Sequence, residues 1–235
     1  MSTVSEVSFA AGDGWPIRAL LRVPENVGRG GTAGVVAVPG SRHERDAWTQ
    51  VASALADANV SVLQIDIRGR GASANGSPWS TMGPAQRRRV ALDVAAAVAY
   101  VSALAGVDGR RLGLLVEQDT AADALESTAD DERIVALAVL SARHAERTRA
   151  AVAKRGLPVY GLVSVEDREG LRATVDAYLA GERGLSRLDV FHGLGVGITM
   201  ASVLQFERPA EQQIDVRLTR WLTGVLSPYT CDEPG

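Results

Sequence analysis

The sequence predicts one α/β domain built on a mostly parallel sheet, with an antiparallel hairpin at its N-terminus. From Gly34 onward, short apolar, β-branched runs alternate with amphipathic stretches of helical length, the pattern of crossover units around a parallel sheet. Two strand-like runs precede this alternation, joined by the turn residues Ala11-Gly12-Asp13-Gly14, which signal a hairpin. A chain of 235 residues, 46% of them hydrophobic, can bury one large core, and no repeat or linker divides it. One domain is therefore expected over residues 1–226, followed by a flexible tail over 227–235, where Pro228, Pro234 and Gly235 argue against a regular element.

The elements follow in order. Val4 to Phe9 and Ile17 to Val23 form the hairpin, and Gly28 to Gly34 is a surface loop. Gly34 to Val38 is a strand ended by Pro39-Gly40, and Arg45 to Ala58 a helix with Trp48, Val51, Ala52 and Leu55 on one face. Ser61 to Ile67 is apolar apart from Gln64 and Asp66, as befits a strand covered on both sides. After a Gly, Ser and Pro loop, a long helix from Ala85 to Ala105 carries Val90, Val94, Val98 and Val101 at helical spacing. Strands at Arg111 to Val116, Ile134 to Leu140, Leu157 to Val165 and Leu188 to Phe191 alternate with helices from Thr120, at Ala145 to Lys154 and at Leu171 to Ala180. A helix from Ala210 to Leu226 closes the chain, and nothing between Leu140 and Leu157 is long enough for an inserted cap.

Composition narrows the function classes. The net charge of -3 provides no basic field for a phosphate backbone, so nucleic acid is not an expected partner. The single cysteine, Cys231, permits no internal disulfide and fits a reducing compartment. The N-terminal residues lack the basic and apolar regions of a secretory signal, and no apolar run approaches the ~20 residues that span a bilayer. A cytoplasmic protein that makes no membrane contact is expected. No Cys or His cluster has zinc-ligand spacing, the aspartates form no calcium loop, and Gly69-x-Gly71 is too short for a dinucleotide fingerprint. No metal and no cofactor are expected.

Two segments carry a family resemblance. Val35-Val36-Ala37-Val38-Pro39-Gly40-Ser41-Arg42, followed by a helix containing Trp48, resembles the strand and oxyanion-side loop of α/β-hydrolases. Downstream, Ile65-Asp66-Ile67-Arg68-Gly69-Arg70-Gly71-Ala72-Ser73 is similar to that family's Asp-x-Arg-Gly-x-Gly-x-Ser segment. The resemblance covers about Ala10 to Leu226 and is closest in outline to dienelactone hydrolases and small serine esterases. It implies a three-layer fold of about eight strands, with helices on both faces and no cap domain.

The resemblance also says where each catalytic group should stand. Where the family writes Gly-x-Ser-x-Gly, this chain reads Val116-Glu117-Gln118-Asp119-Thr120. An amide is neither a nucleophile nor activated by a neighbouring base, and β-branched residues replace both flanking glycines of a strained turn. The triad-equivalent positions are therefore Gln118, Asp167 and Val196. Asp167, or else Glu166, holds the acid's place after Leu157 to Val165, with helix capping as its alternative role. Val196 falls where histidine belongs, and valine cannot shuttle a proton; His192 lies four residues early. Shifting the elbow by one residue gives an alternative catalytic set of Asp119, Asp167 and His192, although Glu117 would then repel the aspartate. Ligand contacts are expected at Gly40, Ser41, Gln118, Asp119 and His192. His43 either lines the mouth of the cleft or makes a solvated loop contact, His144 reads as surface, and Arg87-Arg88-Arg89 as a solvated helix start.

These residues point to a catalytically degenerate α/β-hydrolase-like protein, a pseudohydrolase that binds a small ligand or a protein partner. The alternatives are an enzyme acting through non-standard residues or by shaping a reactive substrate, and a structural subunit of a complex.

Overall fold

The computed structural model describes residues 2–28, 30–202, 209 and 212–227. Eight strands form one sheet: β1 (Ser2–Ala10), β2 (Pro16–Pro24), β3 (Thr32–Val38), β4 (Val60–Ile65), β5 (Val107–Glu117), β6 (Ile134–Leu140), β7 (Val159–Ser164) and β8 (Arg187–Phe191). Their order is β1-β2-β4-β3-β5-β6-β7-β8. The hairpin β1/β2 is antiparallel, β2 joins β4 antiparallel, and every later pair is parallel. The helices are α1 (Thr49–Asp57), α2 (Pro84–Arg87), α3 (Val90–Ser102), α4 (Ala121–Thr128), α5 (Ala145–Ala153), α6 (Arg168–Ala180), α7 (Thr199–Ser202) and α8 (Ile214–Leu226).

Side-chain alternation along the strands separates two apolar layers. Val36 and Val38 of β3 and Leu112, Leu114 and Val116 of β5 face α3, α4 and the small residues of α5 and α6. Val35 and Ala37 with Leu115 face the other way, onto Trp48, the apolar stripe of α1, and Ile214, Leu218, Leu222 and Leu226 of α8. No separate cap domain stands over the sheet among the described residues, and no described helix is long and apolar enough to cross a membrane.

Among the boundaries that depart from expectation, three show how the fold differs from the pattern. The long helix expected over Ala85 to Ala105 is two helices. At Arg88 and Arg89 the amides of Arg89, Ala91 and Leu92 bond three residues back instead of four. That tightening re-aims the chain, so Arg89 reaches Asp13 while Val90 and Val94 are buried. β5 begins at Val107, four residues before the apolar run, because Val107 pairs with Thr32 at the base of β3. The closing helix, expected from Ala210, has Gln213 in extended conformation as its N-cap and starts at Ile214. Residues 210 and 211, Cys231 and all of the expected tail except Ser227 lie outside the described residues.

The segment after β4 is a structural staple. Asp66 accepts the amides of Arg45 (2.8 Å) and Ala72 (3.0 Å), which ties the loop after β3 to the loop after β4. Gly71 passes directly over this carboxylate at φ +45°, where a Cβ would lie 2.5 Å from Asp66 Oδ2. Arg68 is buried between Asp93 (2.6 Å) and Asp13 (2.8 Å). The two aspartates respond differently to the shared guanidinium. Burial dominates at Asp93 and pushes it up to about 6, whereas hydrogen bonding from Arg68 holds Asp13 down at about 2.

Candidate functional site

The strand order reverses between β3 and β5: β3 leads through α1 to β4 on one side, and β4 leads through α3 to β5 on the other. Loops leaving the carboxyl ends of strands at such a switch point enclose a crevice. Here the crevice is a cleft of about 550 Å³ lined by Ser41, Arg42 and His43 after β3, Gln118 and Asp119 after β5, Arg143 after β6, Glu169 on α6, and Val196 and Thr199 beyond β8.

The turn after β5 is sharp despite its sequence. Gln118 sits at φ +49°, in the left-handed region where a side chain is strained. The β-branched residues Val116 and Thr120 do not prevent this turn. Val116 packs into the core, and the Thr120 hydroxyl donates to the carbonyls of Pro39 (2.8 Å) and Glu117 (3.0 Å). Room comes instead from the loop beyond β8, where Gly197, at φ +61°, lies so close that a Cβ would collide with the Glu117 carboxyl and the Gln118 amide.

Glu117 is the organising residue of the site. It ends β5, is fully buried, and accepts three hydrogen bonds. Oε1 receives the Gly40 amide (2.7 Å) and His43 Nδ1 (2.7 Å), and Oε2 receives the Ile198 amide (2.6 Å). One carboxyl thus joins the loops after β3, β5 and β8. The hydrogen bond from His43 to Glu117 raises the histidine above its ordinary 6.5, with the nearby charge of Asp119 adding to it, against opposing effects of burial and Arg42. Asp119 makes a second bridge, accepting the Ser41 amide at 2.9 Å.

The residues expected at the site fall into two groups. Gln118, Asp119, Ser41 and Val196 line the cleft, whereas Gly40 is not among its lining residues and spends its amide on buried Glu117. Asp167 caps α6 by accepting the Gly170 amide (3.1 Å) and pairs with Arg143 (2.8 Å). His192 is exposed, outside the cleft lining, on the segment where the Gly193 amide bonds Glu166. Asp119, Asp167 and His192 are therefore joined by no hydrogen bond, each having other partners or facing solvent. Sequence reasoning missed the pairing of Glu117 with His43. Its one signal was an acidic residue closing the apolar run Leu112 to Val116, at a depth where a carboxylate needs partners.

No group of three His, Cys, Asp or Glu side chains suited to a metal ion occurs among the described residues. No family model and no curated protein matches the chain. Solved structures do. The chain is similar to a dienelactone hydrolase from Anabaena variabilis, with a TM-score of 0.73 and 17% identity, covering 95% of this chain and 98% of that one. It is similar to DcsB in complex with its substrate analogue (TM-score 0.72, 12% identity, 96% and 100% covered) and to the Pyrococcus furiosus esterase Pf2001 (TM-score 0.68, 13% identity, 96% and 94% covered). Strand order, layers and these likenesses agree: the chain has the α/β-hydrolase fold.

Proposed function

We propose that this protein is a catalytically degenerate α/β-hydrolase-like protein that binds a small polar ligand in the cleft and does not cleave it through an acyl-enzyme. One observation carries the reading. An oxyanion hole on this fold takes one amide from the loop after β3 and one from the residue after the nucleophile position, and the β3-loop amides of Gly40 and Ser41 already donate to the carboxylates of Glu117 and Asp119. Gln118, at the sharp turn between those carboxylates, supplies no nucleophile. A volume of about 550 Å³ is that of a small-molecule site, which favours a ligand over a protein partner. Its lining holds Arg42, His43 and Arg143 as well as Asp119 and Glu169, which suits a ligand with polar groups of both kinds.

A nitrophenyl-ester assay together with a fluorophosphonate serine-hydrolase probe tests this. The wild type should give neither turnover nor adduct. Gln118→Ser should form no acyl adduct, because the amides of Gly40 and Ser41 stay bonded to Glu117 and Asp119. An acyl adduct mapped to Asp119 and abolished in Asp119→Asn would overturn the reading in favour of an aspartate nucleophile.

A further inference from the structure

The pairing of His43 with Glu117 is more than a structural bridge. Glu117 is fixed by two backbone amides, from the loops after β3 and β8, so the position of its Oε1 is set independently of the histidine. His43 Nδ1 lies 2.7 Å from that oxygen. A buried carboxylate accepting from Nδ1 selects the tautomer whose lone pair is on Nε2 and stabilises the imidazolium that forms when Nε2 takes a proton. The ring belongs to a half-buried side chain that lines the cleft. The Gln118 amide, Arg42 and Arg143 line the same space and can donate to an oxygen on which charge develops.

We propose that the cleft is a proton-transfer site in which His43 Nε2 takes a proton from a small carbonyl compound bearing an acidic C–H, with Glu117 as its positioning residue. In the step, the C–H bond breaks, the proton goes to Nε2, and the electron pair moves through the new C=C bond onto the carbonyl oxygen as an enolate. In a ligand whose C=C bond is conjugated with the enolate, return of the proton to the far carbon of that dienolate shifts the double bond and completes an isomerisation, with no oxidant, reductant or water consumed. The proposal rests on the cleft being a ligand site and is independent of whether esters are cleaved. The charged groups facing or lining the space around His43 are Glu117, Asp119, Arg42, Arg143 and Glu169, and Glu117 and Asp119 shift the imidazole upward from its ordinary 6.5, which strengthens it as a base.

The test uses the intact protein and nitrobenzisoxazole, a small carbon acid. A base removes its ring C–H, the electron pair forms a nitrile, and the N–O bond breaks to give a coloured phenolate. The wild type should accelerate this reaction with a rate that rises through one ionisation above 6.5. His43→Gln should lower the rate roughly 100-fold, Glu117→Gln should move the ionisation downward, and His192→Gln should change neither. Equal rates in the wild type and a folded His43→Gln overturn the proposal, and an unmoved ionisation in Glu117→Gln overturns the role given to the carboxylate. Should His43→Gln not fold, diethyl pyrocarbonate modification mapped to His43 replaces it: loss of the elimination rate supports the proposal and retention overturns it. If elimination persists while an acyl adduct forms in the ester assay, only the reading of the protein as non-hydrolytic falls.

Discussion

At the scale of single residues, one carboxyl group decides what this cleft can do. Glu117 draws in the loop amides and the imidazole through hydrogen bonds of 2.6 to 2.7 Å, and burying it without those partners would be costly. The bond to His43 links stability to pH. Because the folded protein holds the His43 proton more tightly than the unfolded chain does, the stabilisation is fully present below 6.5 and is lost as pH rises through the raised folded value. The melting temperature of the wild type should therefore exceed that of His43→Gln by more at about pH 6 than at about pH 9, whereas an equal gap would show that the bond carries no proton linkage. The positions of Gln118, Asp119 and Ser41 in the cleft were legible from motif spacing. The pairing of His43 with Glu117 was not, because 74 residues separate the partners and only the approach of β3 to β5 brings them together.

At the scale of elements, the loop after β4 is held in place by its own polar side chains and one glycine. Asp66, Arg68, Gly71 and Ser73 all act on the scaffold: Asp66 ties two loops, Arg68 neutralises buried Asp93, and the Ser73 hydroxyl accepts the Arg18 amide at 2.8 Å. Gly71→Ala should cost more than about 2 kcal/mol, since it combines a positive φ with a collision against Asp66. Arg68→Ala should cost about 3–5 kcal/mol by leaving Asp93 buried with its guanidinium removed. Urea midpoints measure both, and a change within about 0.5 kcal/mol in either would refute the staple. The elbow teaches the converse. Its sequence argues against a sharp turn, yet Gln118 adopts one because the space is supplied by Gly197, far along the chain. The break between α2 and α3 was equally hidden: Val90, Val94, Val98 and Val101 all follow it, and no residue type before them marks the amides that bond three residues back.

At the scale of the whole molecule, stability is held by the two apolar layers on either side of the sheet, and α8 closes one of them. Leu222 is fully buried against the central strands, whereas Leu179 on α6 is 65% exposed. Leu222→Ala should cost about 2–5 kcal/mol, and Leu179→Ala should stay within about 0.5 kcal/mol. Chemical denaturation of the two variants side by side checks this, and similar losses would mean that α8 is not part of the cooperative core. The sequence by itself determined the α/β class, the hairpin, the order of the strands along the chain and the place of the elbow, because strand and helix periodicity and turn residues are local properties of the chain. The tertiary structure alone decided which carboxylates occupy the loop amides, which glycine makes room for Gln118, and that His43 meets Glu117 while His192 faces solvent. Those outcomes depend on how the loops after β3, β5 and β8 converge at the switch point of the sheet, and no local pattern encodes a distance between segments so far apart.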